Sequence, residues 1–183
     1  MDLANNQNDR IKIIFSADEI LSRVRNVAER IAAEDVKDVL VIAILKGSFI
    51  FAADLIRALH EAGLAPQVDF MSLASYREGT QSSGRVDIVR DIDIDVSNRD
   101  IILVDDILES GRTLHFAKTT LAERNARRIL TCVLLNKTKK RVAPIEADFT
   151  AFECPDLFVV GYGMDKAYRY RQLPYVGYIP DED

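Results

Sequence analysis

Three short segments limit what this chain can become: VLVIAIL at 39–45, DIILV at 100–104 and RILTCVLL at 128–135. Each is almost continuously apolar, as a strand covered on both faces reads. Between them the apolar residues recur at helical spacing. Phe49, Ala52, Leu55, Ile56 and Leu59 form one stripe, with Gly63 placed to end it, and RTLHFAKTTLAER predicts a second helix. Ser16 with Glu19 three residues on is a capping-box signature, ahead of Ile20, Leu21, Val24, Val27, Ala28 and Ile31. Apolar strands separated by helices imply an α/β fold with a doubly wound, mainly parallel sheet. Such sheets bind ligands beyond the carboxyl ends of their strands. Two segments leave such ends here, LKGS after residue 44 and DDILESGRT after Val104.

The remaining stretches fit around that frame. VDFMSLASY (68–76) reads as a strand, and REGTQSSGR (77–85) as a mobile loop rich in glycine and serine. VDIVRDIDIDV (86–96) alternates with period two, as a half-exposed strand does. The aromatic, turn-rich stretch 149–183 predicts short strands that cover one end of the molecule. The chain is expected to form a single domain over 1–183, with 1–10 a polar tail and about 149–183 a hood.

Composition narrows the class. With 48% hydrophobic and 29% charged residues, the chain reads as globular and soluble rather than disordered. A net charge of −5 argues against a dedicated nucleic-acid surface. Cys132 and Cys154 give neither a disulfide framework nor metal-ligand spacing. The start, MDLANNQNDR, lacks the apolar core of a signal peptide, and no apolar run approaches membrane-span length, so a cytoplasmic location is expected.

The strongest local chemistry lies in ILVDDILESGRTL (102–114). Adjacent Asp105 and Asp106 at a strand end should face a partner, because an unpaired buried charge is costly. They suit a pair of neighbouring hydroxyls or a magnesium ion. Glu109 to Thr113 leads into a helix whose first amides attract anions, with Gly111 allowing close backbone approach and Ser110 and Thr113 adding hydroxyls. A phosphate beside a diol suggests a ribose 5-phosphate. Asp91, Asp93 and Asp95 do not make a calcium loop, since Val96 and Ile102 stand where glycine and glutamate are needed; they read as a solvated face. In KTKKR, Lys137 is either a surface residue or a donor reaching the site, and Lys139, Lys140 and Arg141 read as surface.

On these residues the chain resembles the type I phosphoribosyltransferases. The segments LKGSFIFAADL, DFMSLASYREGTQSSG, LLNKTKK and FECPDLFVVGYGMDKAYRYRQLPYVGYI make it similar to the hypoxanthine-guanine phosphoribosyltransferases, from about Ile11 to Ile179. The resemblance implies transfer of a phosphoribosyl group from phosphoribosyl pyrophosphate to a 6-oxopurine base, with Mg2+, giving a purine nucleotide and pyrophosphate. It implies that Asp105 and Asp106 hold the ribose hydroxyls and support the metal, that Glu109 accepts the proton of ring nitrogen 7, and that Ser110, Gly111, Arg112 and Thr113 bind the 5-phosphate. It places Leu45, Lys46 and Gly47 in the pyrophosphate loop, where the family often has a cis peptide. It gives Lys137 to the 6-oxo group, Phe158 to stacking on the base and the Val159 backbone to the base edge. Asp165 matches a metal- and guanine-contacting position and Arg171 a pyrophosphate contact, while Ser75, Tyr76 and the loop through Gly84 match a lid. It also implies a homodimer or homotetramer.

The chain departs from the pattern at two places. The family usually has aspartate where this chain has Glu109, and often glutamate where it has Asp105; charge is kept, but reach changes by about 1.5 Å. Two alternatives stand beside this reading: an RNA-binding regulator of pyrimidine genes with the same fold, which would need a basic face, and a transferase preferring xanthine.

Overall fold

The structure, a computed structural model, describes residues 11–78 and 81–180, excepting the side chains of 75–78 and 81–85. The polar tail 1–10 and residues 79–80 lie outside the described residues. In chain order the elements are β1 (Lys12–Phe15), α1 (Ala17–Ala32), β2 (Val39–Leu45), α2 (Phe49–Glu61), β3 (Gln67–Glu78), β4 (Gln81–Arg90), β5 (Asp100–Leu108), α3 (Arg112–Glu123), β6 (Arg128–Asn136), β7 (Phe149–Glu153), β8 (Val159–Val160) and β9 (Val176–Tyr178).

Six strands form the central sheet in the order β4-β3-β2-β5-β6-β7. All neighbours are parallel except β4, which runs antiparallel along β3. The apolar runs follow from coverage of both faces. Leu40, Ile42, Ile101, Leu103 and Val133 pack with Leu114, Ala117 and Leu121 of α3. Their alternate neighbours Val41, Ala43, Ile102, Val104 and Cys132 pack with Val24, Ile31, Phe51 and Leu55 of α1 and α2. A strand buried on both faces leaves little room for polar side chains, and those it keeps are bonded, as Thr131 is to the Asp148 carboxylate at 2.8 Å. Among the described residues no helix is long and apolar enough to cross a membrane.

From β2 the chain passes through α2 to β3 on one side, whereas β5, β6 and β7 lie on the other. That reversal opens a crevice between the carboxyl ends of β2 and β5. The sequence directs both expected site segments, LKGS and DDILESGRT, to this place.

Several expectations need correction. Strand β5 does not stop at the aspartates but continues through Asp105 to Leu108, because β6 carries on beside it in the register Asp105↔Val133 and Leu108↔Asn136. The expected loop 77–85 is mostly hairpin, with Arg77↔Ser82 and Glu78↔Gln81 paired. Strand β4 ends at Arg90, so 91–96 is not a strand. There the Asp69 carboxylate accepts hydrogen bonds from the amides of Asp93 (2.7 Å) and Ile94 (3.1 Å), giving those donors a side-chain partner in place of a ladder. Asp91, Asp93 and Asp95 are nonetheless exposed, as expected of a wet face.

The hood begins later than residue 149, since β7 is the outer strand of the central sheet, paired with β6. It consists of a three-stranded sheet, β1-β9-β8, that draws β1 from the other end of the chain. Residues 12–15 are too few to signal a strand by pattern alone.

Ser16 links β1 to α1 through the expected capping box: its amide donates to Glu19 Oε2 (2.8 Å) and its Oγ accepts from the Glu19 amide (3.4 Å). Ser16→Ala is expected to cost about 1 kcal/mol. In a chain of this size that lowers Tm by about 2–4 °C, with activity unchanged; calorimetry beside a rate assay checks both.

Candidate active site

The crevice is built first by close approach. The Leu45–Lys46 peptide bond is cis. Ser48 is buried and its hydroxyl donates to the Ile44 carbonyl at 2.5 Å, tying the loop back onto β2. Gly47 lies against the second aspartate: a Cβ there would stand 1.8 Å from Asp106 Oδ2. On its other side Gly163 of the hood lies so near that its own Cβ would meet the Gly47 carbonyl oxygen at 2.2 Å. Lys46 is exposed, with Nζ 5.9 Å from the ring centroid of Tyr168.

Beyond the aspartates the chain turns into α3. Gly111 has φ +79°, and a Cβ there would come within 2.8 Å of Ile145 Cγ2, so both conformation and space call for glycine. The Ser110 carbonyl accepts from the amides of Val142 and Ala143, each at 3.0 Å, which fixes the turn from outside. The Arg112 amide donates to Ser110 Oγ at 3.4 Å. No acidic residue occupies the first turn of α3, leaving the positive end of its dipole for an anion.

Strands β5 and β6 bring the next two residues together. Leu108 is paired with Asn136, so Glu109 and Lys137 emerge side by side, and the Lys137 amide donates to the Leu108 carbonyl at 2.9 Å. Lys137 is 5% exposed, so it is not a surface residue. Its ammonium donates to the Leu157 carbonyl at 2.7 Å and lies 3.6 Å from Glu109 Oε1. Lys140 stands 3.9 Å from the same carboxylate and pairs with Asp156 at 2.8 Å. Next to Leu157, Phe158 turns a largely bare ring outward at 63% exposure, while Val159 is buried.

Arg141 is not a surface residue. Its side chain is 12% exposed, and Nε donates to the Glu109 carbonyl at 3.0 Å. Composition does not reveal that, of the four clustered cations, the first and the last turn inward, so KTKKR hid Arg141.

The hood contributes Asp165 and Arg171, which pair with each other at 2.7 Å. Arg171 also donates to the Gly163 carbonyl at 2.6 Å, and the amide of Tyr168 donates to Asp165 at 2.8 Å. The Tyr162 hydroxyl donates to Asp54 of α2, anchoring the hood on the body. Ser75 and Tyr76 belong to β3, but their side chains lie outside the described residues.

Among the described residues no three acidic, histidine or cysteine side chains converge as a metal cage. Two adjacent carboxylates near the end of β5 suit magnesium. That ion is held by one or two carboxylates, with substrate oxygens and water completing its shell.

Burial first, and the neighbouring Asp106 charge second, push the Asp105 carboxyl well above the usual aspartate range. Asp106 is raised as well, by burial, against hydrogen bonds from Asp105 and the Ile107 amide and, least of all, the charge of Arg171. The folded chain therefore holds more protons than the unfolded one, and this pair costs stability progressively as pH rises above the ordinary aspartate pKa. Asp105→Asn keeps an acceptor for the Asp106 amide, which donates to Asp105 Oδ1 at 3.0 Å. The variant is expected to melt about 2–4 °C above the parent at pH 8. The gain should vanish near pH ~4, and activity should fall; melts across pH check the sign.

The comparisons with known proteins follow the same lines. Residues 11–167 match the phosphoribosyl transferase domain family. The chain is 38% identical over 177 residues to a hypoxanthine-guanine phosphoribosyltransferase of Streptococcus pyogenes, covering 96% of this chain and 97% of the relative. It is 41% identical over 170 residues to a hypoxanthine phosphoribosyltransferase of Buchnera aphidicola, covering 91% and 94%. The crystal structure of a hypoxanthine phosphoribosyltransferase from Staphylococcus aureus superposes with a TM-score of 0.91 at 31% identity, covering 98% and 97%. That of the Trypanosoma cruzi enzyme in complex with the product IMP gives 0.85 at 33%, covering 92% and 94%. By its sequence, its fold and the residues gathered in the crevice, the chain belongs to the phosphoribosyltransferase family, in the branch of the hypoxanthine-guanine phosphoribosyltransferases.

Proposed function

We propose that the protein salvages purines by moving the 5-phosphoribosyl group of phosphoribosyl pyrophosphate onto hypoxanthine or guanine, releasing pyrophosphate. The observation that carries this reading is the Glu109–Lys137 pair, with 3.6 Å between ammonium and carboxylate. Ring nitrogen 7 and the 6-oxo group share one edge of such a purine. A lysine has donors only, so Lys137 favours a 6-oxo acceptor and disfavours the amino group of adenine. Glu109 beside it accepts the proton from nitrogen 7 as nitrogen 9 bonds to the anomeric carbon and the bond to pyrophosphate breaks.

The other residues divide the remaining work. Asp105 and Asp106 accept from the two ribose hydroxyls, and the mouth of α3 with Ser110, Gly111, Arg112 and Thr113 takes the 5-phosphate. Lys46 and Arg171 offset charge on the departing pyrophosphate, and Gly47 belongs to the same loop as Lys46. Phe158 offers its exposed ring for stacking on the base, and the Val159 backbone meets the base edge. Asp105 and Asp106, with Asp165 across the crevice, would hold magnesium together with the pyrophosphate oxygens, and the ion supplies positive charge to the leaving group. The β3–β4 hairpin, with Ser75 and Tyr76, excludes water from the reactive sugar.

Purified protein supplied with phosphoribosyl pyrophosphate, magnesium and one base at a time is expected to consume hypoxanthine and guanine and to reject adenine. Preference for xanthine would redirect the assignment, and turnover of none of the four would overturn it. Glu109→Gln should lower kcat by about 10²–10⁴-fold, the range for loss of a general base. Lys137→Ala should lower kcat/KM for hypoxanthine and narrow its margin over adenine by about 10-fold or more. Parent turnover in the first variant, or parent discrimination in the second, removes that residue from its role.

A further inference from the structure

We infer that Arg141 is the positioning residue that sets the spacing between the two purine-reading groups. The side chain is nearly buried, and its guanidinium reaches both of them through their main chain. Nε donates to the Glu109 carbonyl at 3.0 Å. Nη2 donates to the Lys137 carbonyl at 3.3 Å, the Leu108 carbonyl at 3.2 Å and Asn136 Oδ1 at 2.6 Å. Nη1 donates to the Ile145 carbonyl at 2.6 Å and lies 3.6 Å from the exposed Glu146 carboxylate.

One planar fork thus spans the ends of β5 and β6 at the point where the ladder between them stops. Strand pairing ends at Leu108 and Asn136, one residue short of Glu109 and Lys137. Beyond it, a single amide-to-carbonyl bond from Lys137 to Leu108 continues the register. A rigid guanidinium with five fixed donors can gauge a distance, whereas a lysine ammonium at the end of a flexible stem cannot. Arg141 also packs against the phosphate turn, its Cδ 3.0 Å from the place a Cβ of Gly111 would take. That turn has its own support, because Ser110 is held by the amides of Val142 and Ala143. The side chain of Arg141 therefore bears mainly on the base and less on the phosphoribosyl half of the substrate.

This inference rests on the assignment of Glu109 and Lys137 to the purine, and the experiment separates the two. Steady-state constants are measured for hypoxanthine and for phosphoribosyl pyrophosphate in Arg141→Lys, Arg141→Gln and Arg141→Ala, well below each variant's Tm. Arg141→Lys, which keeps the charge but loses the fork, is expected to lose about 10-fold or more in kcat/KM for hypoxanthine. KM for phosphoribosyl pyrophosphate should stay within about twofold of the parent. Added guanidinium ion should restore part of the activity of Arg141→Ala and none to Lys137→Ala. Parent-like constants in Arg141→Lys, equal losses on both substrates, or failure of all three variants to fold would overturn the positioning role. If Glu109→Gln and Lys137→Ala keep parent rates, it is the purine assignment that fails. If those two lose activity while Arg141→Lys does not, the positioning role alone fails.

Discussion

Two neighbouring carboxyl groups are held largely out of water at the end of β5, and the surrounding structure is arranged around that burden. Asp105 is buried and Asp106 presses on Gly47. Main-chain amides give each some relief: that of Asp106 reaches Asp105 and that of Ile107 reaches Asp106, both at 3.0 Å. Burial nevertheless disfavours their charged forms. A ligand bringing hydroxyls or a cation removes that penalty on arrival, so part of its binding energy is stored beforehand as native-state discomfort. This is the familiar exchange of stability for function. It also explains why the facing residue is glycine, since any Cβ at position 47 would collide with the carboxylate.

The second half of the site depends on register. Parallel pairing of β5 with β6 brings Glu109 beside Lys137, two residues far apart in the chain. A slip of one residue would send every side chain of the strand to the opposite face. Lys137 would then lose Leu157 and Glu109 together. The 45–47 and 105–113 segments are each continuous in the chain, whereas the Glu109–Lys137 pair and its neighbour Leu157 meet only through this non-local pairing and the hood.

That difference governs what could be read from the sequence. The parallel sheet was legible because strands buried on both faces leave unbroken apolar runs, as at 39–45 and 128–135. The 45–47 and 105–113 segments stood out because their residues are contiguous, and the fold brings them together at Gly47 and Asp106. Other features carried no such mark. The ladder holds Asp105 to Leu108 in β5 regardless of their charge, and a distant Asp69 satisfies the amides of 93 and 94 that a strand would otherwise have paired. The inward turn of Arg141 depends on carbonyls of three separate segments. Gly163 matters because the hood brings it onto Gly47. Each of these is a fact about neighbours, and a one-dimensional pattern records none of them.

The small sheet of the hood pairs Lys12 with Tyr178 and Val159 with the same tyrosine. Its middle strand is therefore the last of the three to leave the ribosome, and β1 must wait for it through most of translation. The six-stranded body can collapse earlier, since its pairings are closed by residue 153. A nascent chain halted before residue 176 would carry the six-stranded sheet complete while β1 and β8 still lack the strand that joins them.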